Sequence, residues 1–393
     1  MKLSLLKVLK EFRLSSAAVI AVLAFLFINN LLEKSFRHLI AINAWSSVML
    51  SGIDQLTKNQ HPLDVVLVGS SLMRYPMWHV DAKYALSPSD ARFETYHGAR
   101  WFEKKLAEEE HRETGILDLS MDGATIADVY LICDKLLRGP RCPELIIYGM
   151  ADRDMLCGLF HGERHDPAFE LLFEPEDCNR LGGLYTTDLW DRFDLELSQR
   201  FPLYKARQVI QERASHWGQR INHTFNPMLR LTKLTTGENY STTFLTNRDE
   251  EFTTRYSKAW AAKKKLVENQ KACLSLLSKL ARERNCCLLL VNMPLRRTPF
   301  KQTKQYEEYL RVLKLCAQPP HTYLLDLADQ SSTFHNECFL KDGGHMNAIG
   351  GERLIIRLIE WIKEHKQYVA APINSNPPAE ARGPNRLNLN CSS

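Results

Sequence analysis

Two short stretches of the chain hold the residue types that acyl chemistry needs. Asp342-Gly343-Gly344-His345 sets a carboxylate and an imidazole three residues apart on one turn, and Gly69-Ser70-Ser71-Leu72 ends an apolar run with hydroxyls. A carboxylate at that spacing can hold one imidazole nitrogen while the other faces a serine. That is the division of roles in a Ser-His-Asp triad, which is defined by roles and not by chain order. Ser71 is then the candidate nucleophile, His345 the base and Asp342 the acid that orients it. On the residues alone Ser70 offers the same hydroxyl. A serine after a strand is most often a turn or cap residue, and a lone histidine before a helix is usually incidental. The pairing of the two stretches carries the reading.

Such groups need a frame. Leu63-Asp64-Val65-Val66-Leu67-Val68 reads as a buried strand, so Ser71 falls just past its carboxyl end, where open α/β sheets collect ligands. Further short apolar runs bounded by turn residues or charge lie at 115–119, 144–149, 286–292 and 322–327. Helical periodicity covers 126–137, 257–284, 304–316 and 348–365. Strands alternating with helices imply a parallel sheet covered on both faces, an α/β fold of three layers, α/β/α.

Two more strand ends carry polar groups. After the second strand, Asp118 to Thr125 opens a helix that Asp122 or Ser120 can cap, and the Gly123 amide there is a candidate oxyanion donor beside that of Ser71. After the third, Asp152 and Arg153 are candidate substrate-binding residues, or they pair with each other at the surface. Asn347 is the expected N-cap of the last helix.

Together these four blocks resemble the SGNH (GDSL-type) hydrolase superfamily. Gly69-Ser70-Ser71-Leu72 is similar to its first block, with Ser71 in the nucleophile position and Ser70 where an aspartate is usual. Gly123 corresponds to the second-block glycine, and Asp342 with His345 to the D-x-x-H block. The third block, normally G-x-N-D, reads Gly149-Met150-Ala151-Asp152, without the asparagine that donates to the oxyanion. That donor role then falls to the Ser71 and Gly123 amides, or to Arg153. The resemblance implies a flavodoxin-like fold and an acyl-Ser71 intermediate, with no cofactor and no metal. It is nearest to the membrane-anchored branch of D-alanyl-lipoteichoic acid transfer and alginate O-acetylation proteins. By that analogy the partners are a cell-envelope polysaccharide or acylated polymer and a membrane-bound acyltransferase. The missing asparagine favours an alternative, a non-catalytic scaffold that binds polymer or recruits such an acyltransferase.

Composition bounds these readings. The 393 residues are 45% hydrophobic and 25% charged, and the net charge of +5 is spread along the chain, which argues against nucleic acid as partner. Leu14–Leu32 has no charged side chain. At about 1.5 Å per residue it is long enough to cross a hydrocarbon core of about 30 Å. Lys2, Lys7, Lys10 and Arg13 precede it, which predicts a cytoplasmic N-terminus and an extracytoplasmic body on a retained single-pass anchor. The expected organisation is a stub and anchor at 1–37, a stalk helix at 38–61, the α/β domain at 62–369 and a disordered tail at 370–393. Within the domain, 153–254 interrupts the alternation and is rich in aromatics, either a lid or substrate platform or a helical subdomain with its aromatics packed inward.

Cysteine spacing suggests Cys133 with Cys142, Cys157 with Cys178 and Cys316 with Cys338 as pairs able to close short loops in an oxidising compartment. One of Cys286 and Cys287 is expected to pack as a small hydrophobe. His161, Glu163 and His165 lack metal-site spacing and read as a solvated loop.

Overall fold

A computed structural model describes residues 19, 20, 23–25, 27, 28, 44–59, 63–86, 96–156, 167–201, 204, 257–295, 303–330, 332–340 and 342–366. Its centre is a five-stranded, wholly parallel sheet of β1 (Val65–Gly69), β2 (Ile116–Asp118), β3 (Leu145–Met150), β4 (Cys287–Asn292) and β5 (Thr322–Asp326). The spatial order is β2-β1-β3-β4-β5, and Val65 of β1 pairs with Ile116 on one side and Leu145 on the other. All five strands lie where the apolar runs predict them.

Strand side chains alternate between two faces, and each face has its own core. Val66, Val68, Ile146, Tyr148, Leu288 and Leu290 enter one, together with helices α1 (Ala44–Lys58), α4 (Ile126–Leu136), α8 (Lys264–Glu283) and α9 (Lys304–Cys316). Val65, Leu67, Leu145, Ile147, Leu289 and Val291 enter the other, beneath α2 (Ser71–Lys83), α3 (Arg100–Glu110) and α10 (Ala348–Glu364). Burying one such aliphatic chain is worth about 1.5–3 kcal/mol. A surface ion pair is worth about 0–1 kcal/mol. The apolar runs therefore set the frame, and the charges at the rim follow it.

The helix expected at 38–61 is present as α1. Its Met49, Ile53 and Leu56 are buried in the first core, so it packs into the domain and does not stand off as a stalk. Helices α2 and α3 were not signalled by the periodicity. Capping also differs at α4, where Thr125 and Asp128 close a reciprocal box: the Asp128 carboxylate accepts from the Thr125 amide and the Asp128 amide donates to the Thr125 hydroxyl. Neither Asp122 nor Ser120 caps it. Asn347 does cap α10, accepting from the Ile349 and Gly350 amides.

In the described part of the insertion, α5 (Pro167–Leu172), α6 (Asp177–Leu181) and α7 (Leu189–Arg200) follow one another, and Phe169, Phe173 and Tyr185 stack together within the first core. These aromatics pack inward. Leu189, Trp190 and Phe193 of α7 are exposed, and 157–166 and 205–256 lie outside the described residues. No helix among the described residues is long and apolar enough to cross a membrane, and most of the expected anchor at 14–32, like the tail from 370, lies outside them.

No disulfide is present among the described residues. All eight described cysteines are free thiols, Cys133, Cys142, Cys178, Cys316 and Cys338 among them, and Cys157 lies outside the described residues. Cys316 and Cys338 belong to opposite cores, with the sheet between them. The Cys142 thiol donates to the Pro143 carbonyl at 3.8 Å, and the neighbouring Cys286 thiol lowers its pKa. Cys286 and Cys287, adjacent in sequence, pack into opposite cores, so both behave as small hydrophobes.

Candidate active site

The strand order turns back between β1 and β3, and a crevice at the carboxyl ends of those two strands is where such sheets bind ligands. Gly69 ends β1 there with φ of +142°, and a Cβ on it would lie 2.4 Å from the Gly149 carbonyl oxygen of β3. Only glycine allows both that backbone and that approach. The chain then turns at once into α2. Ser70 caps the helix, its hydroxyl accepting from the Leu72 amide at 3.5 Å. That leaves Ser71 as the first helical residue. The two serines are thereby given different work.

Ser71 Oγ lies 2.7 Å from His345 Nε2. His345 Nδ1 lies 2.5 Å from Asp342 Oδ2, while Asp342 Oδ1 accepts from the amides of Gly344 and His345, both at 2.9 Å. With Nδ1–H donated to the carboxylate, Nε2 is left as the acceptor for the serine proton. Burial alone would raise the Asp342 carboxyl. The His345 hydrogen bond, the imidazole's charge and the two amides outweigh it and bring it from 3.8 down to about 2. Asp342 is thus an anion throughout the neutral range.

The turn carrying these two residues is closed by the Leu340 amide on the His345 carbonyl and the Gly343 amide on the Leu340 carbonyl. It leads into α10, which lies against α2. At Gly351 an added Cβ would fall 2.5 Å from the Pro76 carbonyl of α2, so the missing side chain permits the approach. The helix bearing Ser71 and the helix following His345 are in direct backbone contact.

Arg153 joins the group, its Nη2 donating to Ser71 Oγ at 3.1 Å. It sits on a short 3-10 turn, Asp152–Met155, straight after β3. Its neighbours on that turn face inward. Asp152 is buried, and its charge adds to the burial that raises Tyr306 and Tyr309 in the first core. Expected as a substrate-binding residue, Asp152 lies instead beneath the site. Asp154 is buried too; it accepts from the Ala151 amide at 3.0 Å and from the Ser70 hydroxyl. Burial raises it from 3.8 to about 6, with Arg153, the Ala151 amide and Ser70 opposing.

Gly123, at φ +74°, lies in the turn after β2. The Met121 amide of that turn donates to the Gly69 carbonyl at 2.9 Å, which ties it to the turn that carries Ser71. Neither the Ser71 nor the Gly123 amide donates to a protein acceptor among the described residues.

Three residues of α2 went unread. Tyr75 stacks on His345 with ring centroids 4.4 Å apart, and burial, with the charges of Asp122 and Asp342 added, raises its phenol to about 12. His79, one turn on, is lowered from 6.5 to about 4 by burial and by His345, which keeps it neutral. Arg74 is fully buried, reaches toward the Ser120 carbonyl at 3.5 Å and feels the charges of Asp122 and Asp118. The signal for the first two is the spacing 71, 75, 79, one face of a helix at 3.6 residues per turn. His161, Glu163 and His165 lie outside the described residues.

Compared with known proteins, the chain matches no family model and no curated protein.

Proposed function

We propose that this chain is a serine acyltransferase or esterase of SGNH type, its strand order being that of the flavodoxin-like fold. The observation that carries the proposal is the continuous relay from Ser71 Oγ through both ring nitrogens of His345 to Asp342. As Oγ attacks an acyl carbon, its proton passes to Nε2 and the carbonyl π pair becomes an oxyanion facing the Ser71 and Gly123 amides. Collapse of that intermediate breaks the bond to the leaving alcohol, which takes the proton from Nε2. The acyl group now rests on Ser71. Water or an acceptor hydroxyl then attacks it, giving its proton to Nε2 in turn; collapse of this second intermediate breaks the acyl–Oγ bond, Nε2 returns the proton to Ser71 Oγ, and the product leaves. This route calls for no cofactor.

The SGNH resemblance extends the proposal to a cell-envelope polysaccharide or other acylated polymer as substrate, and to a body held outside the cytoplasm by the Leu14–Leu32 segment. A second reading rests on one observation, Ala151 where the family has its oxyanion asparagine: a scaffold that binds polymer or recruits a membrane acyltransferase. Reaction of the full chain with a fluorophosphonate separates the two. Labelling of Ser71 that is lost in Ser71→Ala supports the enzyme. An unlabelled wild type that still binds polymer supports the scaffold.

A further inference from the structure

Ala151 is buried in the second core and has no side-chain donor, so the carboxamide that completes this kind of hole is missing from its usual place. We infer, resting on the acyl-serine reading above, that Arg153 supplies the third oxyanion donor in its stead and is a catalytic residue.

The argument begins with where the protons are. Ser71 Oγ has one hydrogen, donated to His345 Nε2 at 2.7 Å, and it accepts the Arg153 Nη2–H at 3.1 Å. When Oγ bonds to the acyl carbon, one lone pair forms the new bond, the O–H pair stays behind as the proton leaves for Nε2, and the alkylated Oγ is a poorer acceptor than the free hydroxyl was. At the same moment the carbonyl oxygen gains a full negative charge, two bonds from the atom the guanidinium already touches. The Nη2–H therefore passes from Oγ to the oxyanion, from an acceptor that weakens to one that strengthens. This is the differential binding that lowers a barrier, since the hydrogen bond is better in the transition state than before it.

The turn is built to hold the guanidinium there. Asp154 lies 3.8 Å from Arg153 Nε, and it also receives the Ala151 amide and the hydroxyl of Ser70, the residue next to the nucleophile. One buried carboxylate thus links the donor's turn to the nucleophile's turn. Gly344 flanks the other side: a Cβ built there would come 3.8 Å from Arg153 Nη1. A cation also differs from an amide in strength, because hydrogen bonds from a charged donor are about twice as strong as neutral ones. The loss of the asparagine is therefore not by itself a loss of activity.

The test uses the full chain with p-nitrophenyl acetate as substrate. Arg153→Ala should lower kcat by about 10²–10³-fold, the cost of removing one oxyanion donor, with KM within about threefold of wild type. Millimolar methylguanidine should restore part of that rate in Arg153→Ala and none in Ser71→Ala, and rescue itself shows that the variant is folded. Arg153→Lys should keep more activity than the alanine variant. If Arg153→Ala keeps its kcat, or loses only KM, Arg153 binds the ground state at most, and the inference is overturned while the serine reading stands. If the wild type is as inert as Ser71→Ala, the serine reading fails and the inference falls with it.

Discussion

Replacing Asp342 with asparagine tests the relay at its most sensitive joint, because it changes no heavy-atom count and little volume. The carboxylate accepts three hydrogen bonds, from Nδ1 of His345 at 2.5 Å and from the amides of Gly344 and His345 at 2.9 Å each. An asparagine can keep the two amide bonds through its Oδ1, which turns its Nδ2–H2 toward the imidazole. Two donors then face one another unless the ring moves its proton to Nε2. In that tautomer the ring satisfies the new carboxamide but presents a donor to Ser71, and the base is gone. Restoring the working tautomer gives up a hydrogen bond to a charged acceptor, worth about 1.5–3 kcal/mol, and leaves a half-buried donor unmet at about 1–3 kcal/mol. At 1.4 kcal/mol per tenfold, these together predict a loss of about 10²–10⁴ in kcat/KM, in line with the order of 10⁴ known for this change in the serine-protease triad. The variant should fold normally, since the side chain is about 50% exposed. Fluorophosphonate labelling rates of wild type and Asp342→Asn, with thermal melts beside them, measure both. A variant that folds and reacts within about threefold of wild type would show that the tautomer is fixed by something else, and the triad argument would fail.

Other outcomes follow from single features. Ser71→Ala should abolish labelling and ester hydrolysis while shifting stability by less than about 0.5–1 kcal/mol by denaturant titration, because one hydroxyl at a helix start adds little to the core. Gly351→Ala forces a methyl to within 2.5 Å of the Pro76 carbonyl, so it should cost about 1–3 kcal/mol of stability and also slow acylation by separating α10 from α2. Asp118 and Asp154 titrate near 6 in the fold because burial raises both from 3.8. The folded state then holds protons that the unfolded chain has released, so stability should fall as pH rises from about 4 to about 6 and level off above, by up to about 3 kcal/mol per group. Urea titrations across that range should show the slope, and Asp154→Asn should reduce it.

How much of this was written plainly in the chain differs between the sheet and its edges. A parallel strand buried on both faces is apolar nearly throughout, so Val65 to Gly69 or Cys287 to Val291 stands out without any long-range knowledge. Asp342 and His345 were legible for the same local reason: their interaction is closed within one turn. Helix α2 was not, because Pro76 within it reads as a helix breaker and its buried residues mix Met73, Arg74 and Met77, so apolar periodicity is blurred. The thiols failed in another way. Spacing reports which cysteines are close in sequence, whereas Cys142 meets Cys286 only because β3 pairs with β4. Asp152 and Arg153 look equivalent as letters, and only the 3-10 turn after β3 decides that one is buried and the other reaches the serine.

Placing the proposed nucleophile at the first position of α2 has an energetic consequence that the relay alone does not reveal. The first amides of any helix have no acceptor within it, so the Ser71 N–H can face a substrate oxygen without breaking a bond that folding had made. The helix's positive end adds to the field there. What such a design needs is a helix start that cannot drift, since the amide and the hydroxyl must both stay aimed. Ser70 fixes it by capping, and Gly69 fixes it by bringing β1 against Gly149. Arg74, buried one turn along, fixes it against the loop of Asp118, Ser120 and Asp122, the same loop that carries Gly123. In the proposed site, the two candidate oxyanion donors are thus linked through a buried arginine that touches neither. Arg74→Met, close in length but uncharged, should leave the sheet folded and yet depress acylation, because it uncouples the two halves of the hole. The expected sign is a fall in kcat with little change in KM, and a variant with wild-type kcat would show that the packing of α2 alone is enough.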